Sequence, residues 1–306
     1  MLTGIIAGLA AGALWGVVFV IPRMLPMGAG AYSSVDLTAG RFAMYGLVAV
    51  LVMVAGRLRA GASSRWPSAR QAVTAAGMSV LGFTAYYLLL VLAVRDAGTE
   101  VPSLIIGTIP IWVMLIGKPQ GLRWVALLPG LALTIAGLVL MMVSTNGAAS
   151  AGVAPGHFWR GVWLVTGSLL SWTLFAVLNA AWLKRHPEVN ATDWANWLGV
   201  ATGLGAVLMW VVAGSPLPVL AARDDFAWFV GLCVFSGFGA AWLATVLWNI
   251  ASQRLSASLC GQLIVSETIF ALLYSFAWDG QWPGLAELAA CVLFTLGIFA
   301  SIRAHR

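Results

Sequence analysis

Apolar residues follow one another in stretches of about 20 positions, and charges, prolines and polar clusters fall between the stretches. A helix that crosses the hydrocarbon core of a bilayer needs about 20 mostly apolar residues, because each adds only 1.5 Å of rise. Ten such runs can be drawn: Thr3 to Pro22, Tyr32 to Ala55, Gln71 to Val94, Thr99 to Gly117 and Leu122 to Val143, then Phe158 to Leu183, Thr192 to Gly214, Phe226 to Ile250, Leu255 to Ala277 and Pro283 to Ile302. The linker Ser144 to Gly156 separates the two sets of five. The pattern predicts an all-α integral membrane fold with ten transmembrane helices. No basic residue precedes the first run and nine runs follow it, so it reads as a spanning helix and not as a cleaved signal.

Composition supports this. Of 306 residues, 61% are hydrophobic and 8% charged, against roughly 25% charged in a soluble globular domain. Too little polar sequence remains to cover a water-facing surface, so the lipid bilayer is the expected partner. The net charge of +6 does not form a basic patch interleaved with aromatic residues, which argues against nucleic acid. Placing the amino terminus in the cytoplasm puts Arg57, Arg59, Arg65, Arg70, Lys118, Arg123, Lys184, Arg185, Arg254, Arg303 and Arg306 inside. Only Arg23, Arg95, Arg160 and Arg223 are then outside. That bias predicts both termini in the cytoplasm. Cys233, Cys260 and Cys291 lie within apolar runs without metal-ligand spacing, and His157, His186 and His305 fall at run ends, so neither a metal nor a cofactor is expected.

Sliding the chain against itself by 157 or 158 residues brings Trp15 onto Trp172, Asp36 onto Asp193, Ala93 onto Ala251, Ile106 onto Ile264 and Thr108 onto Ser266. A slightly larger shift puts Gly137 on Gly297. The matches fall at equivalent points of five successive run pairs, which predicts two repeats, residues 1–147 and 157–306. Five is odd, so the second repeat enters the membrane from the opposite side. Inverted repeats give two related conformations with a substrate site near the midplane, the arrangement of secondary transporters.

Several motifs carry a resemblance. The first run contains Gly12-Ala13-Leu14-Trp15-Gly16, the second Leu37-Thr38-Ala39-Gly40-Arg41-Phe42, and the fourth Leu104-Ile105-Ile106-Gly107-Thr108-Ile109-Pro110-Ile111-Trp112. Together they resemble the drug/metabolite transporter superfamily with its paired EamA-type domains. The second half departs from the family pattern, with Thr268 where a Pro would stand. Lys118-Pro119-Gln120 and Asp279-Gly280-Gln281 replace the usual Gly-Glu pairs. Leu247-Trp248-Asn249-Ile250 and the abundance of aromatic residues look most like the YddG-type aromatic amino acid exporters. The resemblance implies outward movement of amino acids or related metabolites across a bacterial inner membrane.

The residues themselves suggest where a small-molecule substrate would sit. Glu267 is the only carboxylate deep in a run, and an ionised acid there costs roughly 3 kcal/mol or more unless it faces a cavity or a partner. It reads either as a substrate-amine ligand or protonation switch, or as a structural acid fixing packing. Gln262 and Ser266 share a helix face close to it and suit the cavity or interhelical hydrogen bonds. Thr108 and Pro110 after Gly107 form a polar point, a hinge or a plain kink. Trp15 and Trp172 lie near mid-membrane. With Tyr45, Tyr86, Tyr87, Trp163 and Trp242 they would line an aromatic cavity or pack the core. Arg41, about two turns into its run, reads as a gating or substrate-carboxylate group, or as a structural donor to backbone carbonyls. Trp124, Trp159, Trp182, Trp194, Trp228 and Trp282, at run ends, read as interfacial anchors. Gly199, Gly203 and Gly205 would pack within the chain or between chains.

Exporters of amino acids and of aromatic cationic drugs both fit these features. A membrane enzyme would need a convergent catalytic constellation, and neither H-E-x-x-H, G-x-S-x-G nor an intramembrane Asp pair occurs. No Walker A sequence is present, so transport is expected to run on a gradient and not on ATP.

Overall fold

The structure, a computed structural model, describes residues 1–26, 31–58, 66–97, 100–145, 155–280, 282 and 284–305. Most of the expected linker, Arg59, Arg65, Gln281, Pro283 and Arg306 lie outside the described residues.

Long apolar stretches without internal charge satisfy their backbone groups only as helices, and among the described residues the chain is helical with no strand. Helix α1 (Leu2–Gly16) continues through short 3₁₀ turns to Met24, and α2 spans Ser34–Leu58. Next come α3 (Ala69–Ser79) and α4 (Ala85–Ala97), fused by a π-helical turn at Val80–Thr84. Helices α5 (Glu100–Gly107) and α6 (Ile109–Ile116) are broken at Thr108, and α7 spans Trp124–Thr145. The second half comprises α8 (Pro155–Arg185), α9 (Ala191–Ala213), a short α10 (Leu217–Ala221), α11 (Phe226–Ser236), α12 (Ala244–Arg254), α13 (Ala257–Asp279) and α14 (Leu285–Ala304). A π-helical turn at Gly237–Leu243 fuses α11 to α12.

Nine of the resulting helices are long and apolar enough to cross a membrane, counted over the described residues. The fourth run, expected as one span, is the exception. Pro110 has no N–H to offer the carbonyl of Ile106, and the ladder breaks two residues earlier, at Thr108. Thr108 closes the turn, its N–H and Oγ1 bonding the Ile105 carbonyl at 3.1 and 2.6 Å.

The packing joins elements from the two halves. Helix α2 lies along α9, α7 along α14, and α6 along α13, each pair uniting runs that the sequence shift had matched. Helix α1 packs on α12 and α13, while α8 packs on α4, α5 and α6. The two π turns begin 157 residues apart, at Val80 and Gly237. Cap chemistry repeats as well. Ser33 exchanges hydrogen bonds with Asp36 at the start of α2, and Asn190 does the same with Asp193 at the start of α9. These caps satisfy amide groups that a helix start leaves open.

Glycines allow the closest approaches, and Gly199, Gly203 and Gly205 pack within the chain. A side chain on Gly199 would collide with Tyr45 and Ala49, one on Gly203 with Gly46, and one on Gly205 with Thr84. Large apolar residues elsewhere on the helices, including Leu51, Leu204, Val211 and Phe299, face outward toward lipid.

Candidate functional site

Three indoles converge inside the bundle, each from a different helix. Trp15 of α1 lies edge-on to Trp172 of α8 with ring centroids 6.3 Å apart, and Trp248 of α12 closes the triangle at 5.4 Å from Trp15 and 6.2 Å from Trp172. Trp248 is buried, whereas Trp15 and Trp172 keep partly accessible faces. Such tilted and edge-on pairs suit the ring quadrupoles.

Beside them, α4 presents Tyr86 and Tyr87, whose rings meet edge-on at 5.1 Å. The π turn ahead of this segment disturbs the regular ladder, and α8 reaches across to its carbonyls. Ser171 donates to Leu81 at 2.7 Å and Ser168 to Tyr86 at 2.8 Å. Tyr87 also stands edge-on to Phe42 of α2, at 5.0 Å.

The charged groups come from α2 and α13. The Arg41 guanidinium lies 4.5 Å from the ring centre of Phe42 and 4.8 Å from that of Tyr87, a cation held by π faces. Among the described residues the Arg41 Nε is buried without a hydrogen-bond partner, and no hydrogen bond to a backbone carbonyl is seen from this side chain. Glu267 sits near the middle of α13, ten residues from its start and twelve from its end, or about 15–18 Å from either. The backbone of α13 at Glu267 rests directly on Gly12 and Gly16 of α1, where a methyl group would come within 3.2 and 3.1 Å of its N and O atoms. Protein surrounds the Glu267 side chain, yet it remains partly accessible. Its carboxylate interacts electrostatically with Arg41 and with Tyr86, but among the described residues it takes no hydrogen bond and forms no ion pair. Arg41, Tyr87, Tyr86, Glu267 and the indole triangle thus belong to one run of neighbouring groups, aromatic for the most part, with a basic residue and an acid among them.

Other expected cavity residues lie elsewhere. Tyr45 is fully buried and spends its hydroxyl on the Ala195 carbonyl at 2.8 Å, tying α2 to α9. Trp163 is 74% exposed on the face of α8 that also carries Trp159 and Leu170, so it faces outward, away from these groups. Gln262 is fully buried among hydroxyls, bonding Thr134 of α7 and Ser301 of α14 at 3.0 Å each. It fastens three helices together. Ser266 caps the Leu263 carbonyl of its own helix and packs against Gly12. Gly107, Thr108 and Pro110 form the helix break, with the Thr108 hydroxyl also accepting the Trp112 indole N–H at 3.2 Å. Trp242 stacks on Phe238 and donates to Asn196 at 2.7 Å, a packing role on the Phe42 side.

Sequence reasoning missed Trp248 as the third ring, although it stands in the Leu247-Trp248-Asn249-Ile250 segment already singled out. It also missed a buried polar chain behind the rings. Trp194 donates to Asn179 at 2.6 Å, Asn179 donates to Asn249 at 3.1 Å, and Asn249 reaches the Ala191 carbonyl at 3.3 Å. Trp194 is thus no interfacial anchor. It is fully buried, stacked on Trp182 with centroids 3.7 Å apart.

No family model matches the chain. It is 28% identical to the inner membrane protein YtfF of Escherichia coli (strain K12) over 316 aligned residues, which cover 99% of this chain and 96% of that protein. A solved crystal structure, described only as that of a protein, aligns with a TM-score of 0.77 at 21% identity, covering 99% of this chain and 97% of the other. That likeness shows a shared fold. The chain is a multi-pass inner-membrane protein.

Proposed function

We propose that the protein is a secondary exporter of amino acids, aromatic ones included, and of related small metabolites. It works by alternating access between two inverted five-helix repeats. The observation that carries this reading is the midspan run of groups that includes Glu267, Arg41 and the indole triangle. Carboxylates are expensive at that depth and are retained where they meet a substrate or an ion path. The matched helix pairs, the two π turns 157 residues apart and the repeated caps support the two-repeat arrangement, which sets a site where the halves meet. The likeness of Gly12 to Gly16, Leu37 to Phe42 and Leu104 to Trp112 to the drug/metabolite transporter superfamily supports it too.

A second reading, efflux of aromatic cations, draws on the same three rings beside a carboxylate. Arg41 weighs against it, because a fixed positive charge among these groups repels a second cation. A substrate carrying both signs suits them better.

The test is flux in liposomes. Purified protein should carry labelled aromatic amino acids in a saturable way, and Glu267→Gln should lose most of that flux. A pH gradient imposed across the vesicle tells whether protons couple to transport. Absence of flux for every amino acid, together with transport of an aromatic cation, would replace the first reading by the second.

A further inference from the structure

Arg41, a base, and Glu267, an acid, feel each other's field and yet form no ion pair among the described residues. No nitrogen of the Arg41 side chain lies within 4.0 Å of a Glu267 carboxyl oxygen. Two mutually attracted side chains in an apolar interior normally close on each other, since each unpaired charge is costly there. Here both are held apart. The guanidinium of Arg41 lies against both the Phe42 and the Tyr87 ring. Glu267 is set by the contact of α13 with Gly12 and Gly16, which fixes its backbone against α1. Tyr86 feels both groups, and Trp15, Tyr86 and Trp172, all partly accessible, pack against one apolar cluster.

We infer that Arg41 and Glu267 form the two ends of a clamp for a zwitterion. The substrate's α-carboxylate sits on the Arg41 guanidinium, its α-ammonium on the Glu267 carboxylate, and its side chain on the indoles of Trp15 and Trp172. Bridging satisfies both fixed charges at once through charge-assisted hydrogen bonds, and a molecule with one charge leaves the other buried and unpaired. The clamp selects α-amino acids against amines and against acids of the same shape. This inference rests on the amino-acid reading of these groups.

The experiment uses the full chain in proteoliposomes, with labelled phenylalanine as the probe and two fragments as competitors. Phenethylamine lacks the carboxylate and 3-phenylpropionate lacks the amine. Wild-type protein should bind each fragment weaker than phenylalanine by on the order of tenfold or more. Arg41→Gln should raise the half-saturation for phenylalanine by a similar factor without weakening inhibition by phenethylamine. Glu267→Gln should do the same for phenylalanine without weakening inhibition by 3-phenylpropionate. Arg41→Lys and Glu267→Asp keep the charges, so they should keep the wild-type order of preference and report on the clamp even if a neutral variant fails to fold. The clamp is overturned if each neutral variant weakens phenylalanine and both fragments alike, or if neither variant alters the preference. Wild-type protein that moves no phenylalanine would strike down the amino-acid reading itself, whereas phenylalanine flux without this charge-matched pattern would strike down the clamp alone.

Discussion

Gly46 of α2 and Gly203 of α9, 157 residues apart, face each other so closely that a methyl group on either would lie 2.7 or 2.8 Å from the other's Cα. Neither helix could approach the other this way with any larger residue at the crossing. The same crossing leaves an apolar groove of about 240 Å³ on the outside, lined by residues such as Leu47, Val50, Leu204 and Val207.

Gly46→Ala and Gly203→Ala should each destabilise the protein by about 1–3 kcal/mol, the usual cost of overpacking a tight contact. Thermal unfolding in detergent measures this. The double substitution should cost less than the sum of the two, because one separation of the helices accommodates both methyl groups.

Asn179 links Trp194 to Asn249. Replacing it by Ala strands the Trp194 N–H and the Asn249 amide oxygen in a buried site, at about 1–3 kcal/mol for a lost partner. The unfolding midpoint should drop, while the half-saturation for any transported amino acid should stay close to wild type.

Gln262 provides the converse control to Glu267, one helical turn away on α13. Gln262→Leu preserves volume but leaves the Thr134 and Ser301 hydroxyls without their shared partner. It should lower stability by roughly 1–3 kcal/mol and leave substrate preference untouched. A change in preference with stability unaltered would return Gln262 to the substrate site.

Asp225 supplies a pH-dependent term at one end of the bundle, next to the start of α11. Burial works to raise its carboxyl, but hydrogen bonds from Arg223 at 3.1 Å and Tyr32 at 2.9 Å outweigh this and hold it below its ordinary value of 3.8. A depressed carboxyl contributes stability that is complete above its unfolded value and is lost as pH falls through its folded value. Wild-type protein should therefore exceed Asp225→Asn in unfolding temperature at neutral pH. That difference should shrink only when the pH is taken below about 4.

Trp172→Leu should weaken transport of aromatic amino acids by several-fold, in line with the roughly 0.5–1.5 kcal/mol of an aromatic pair. Aliphatic amino acids should be affected less. Competition between phenylalanine and leucine in the same vesicles measures the difference directly.

The spans were legible because a run of about 20 apolar residues is a local property of the chain and sets its own length against the bilayer. Pro110 marked its helix break for an equally local reason, the missing N–H. Trp15, Trp172 and Glu267 stood out because large or charged side chains at mid-run have no interfacial explanation. The facing of each helix was another matter. In a chain apolar all round, lipid and neighbouring helices are equally tolerant of Trp and Leu, so no polar face tells the inside from the outside. Trp163, expected inside, therefore points outward, and Trp194, expected at the interface, is buried. Gln262 looked like a neighbour of Glu267 because they share a helix, but its partners Thr134 and Ser301 stand 128 and 39 residues away in sequence. The sequence by itself determined where the apolar helical stretches lie and which residues are too costly to leave without a role. Only tertiary packing, which brings residues of α1, α8 and α12 together, decided that Trp248 joins the other two indoles and that Arg41 and Glu267 feel each other's field without forming an ion pair.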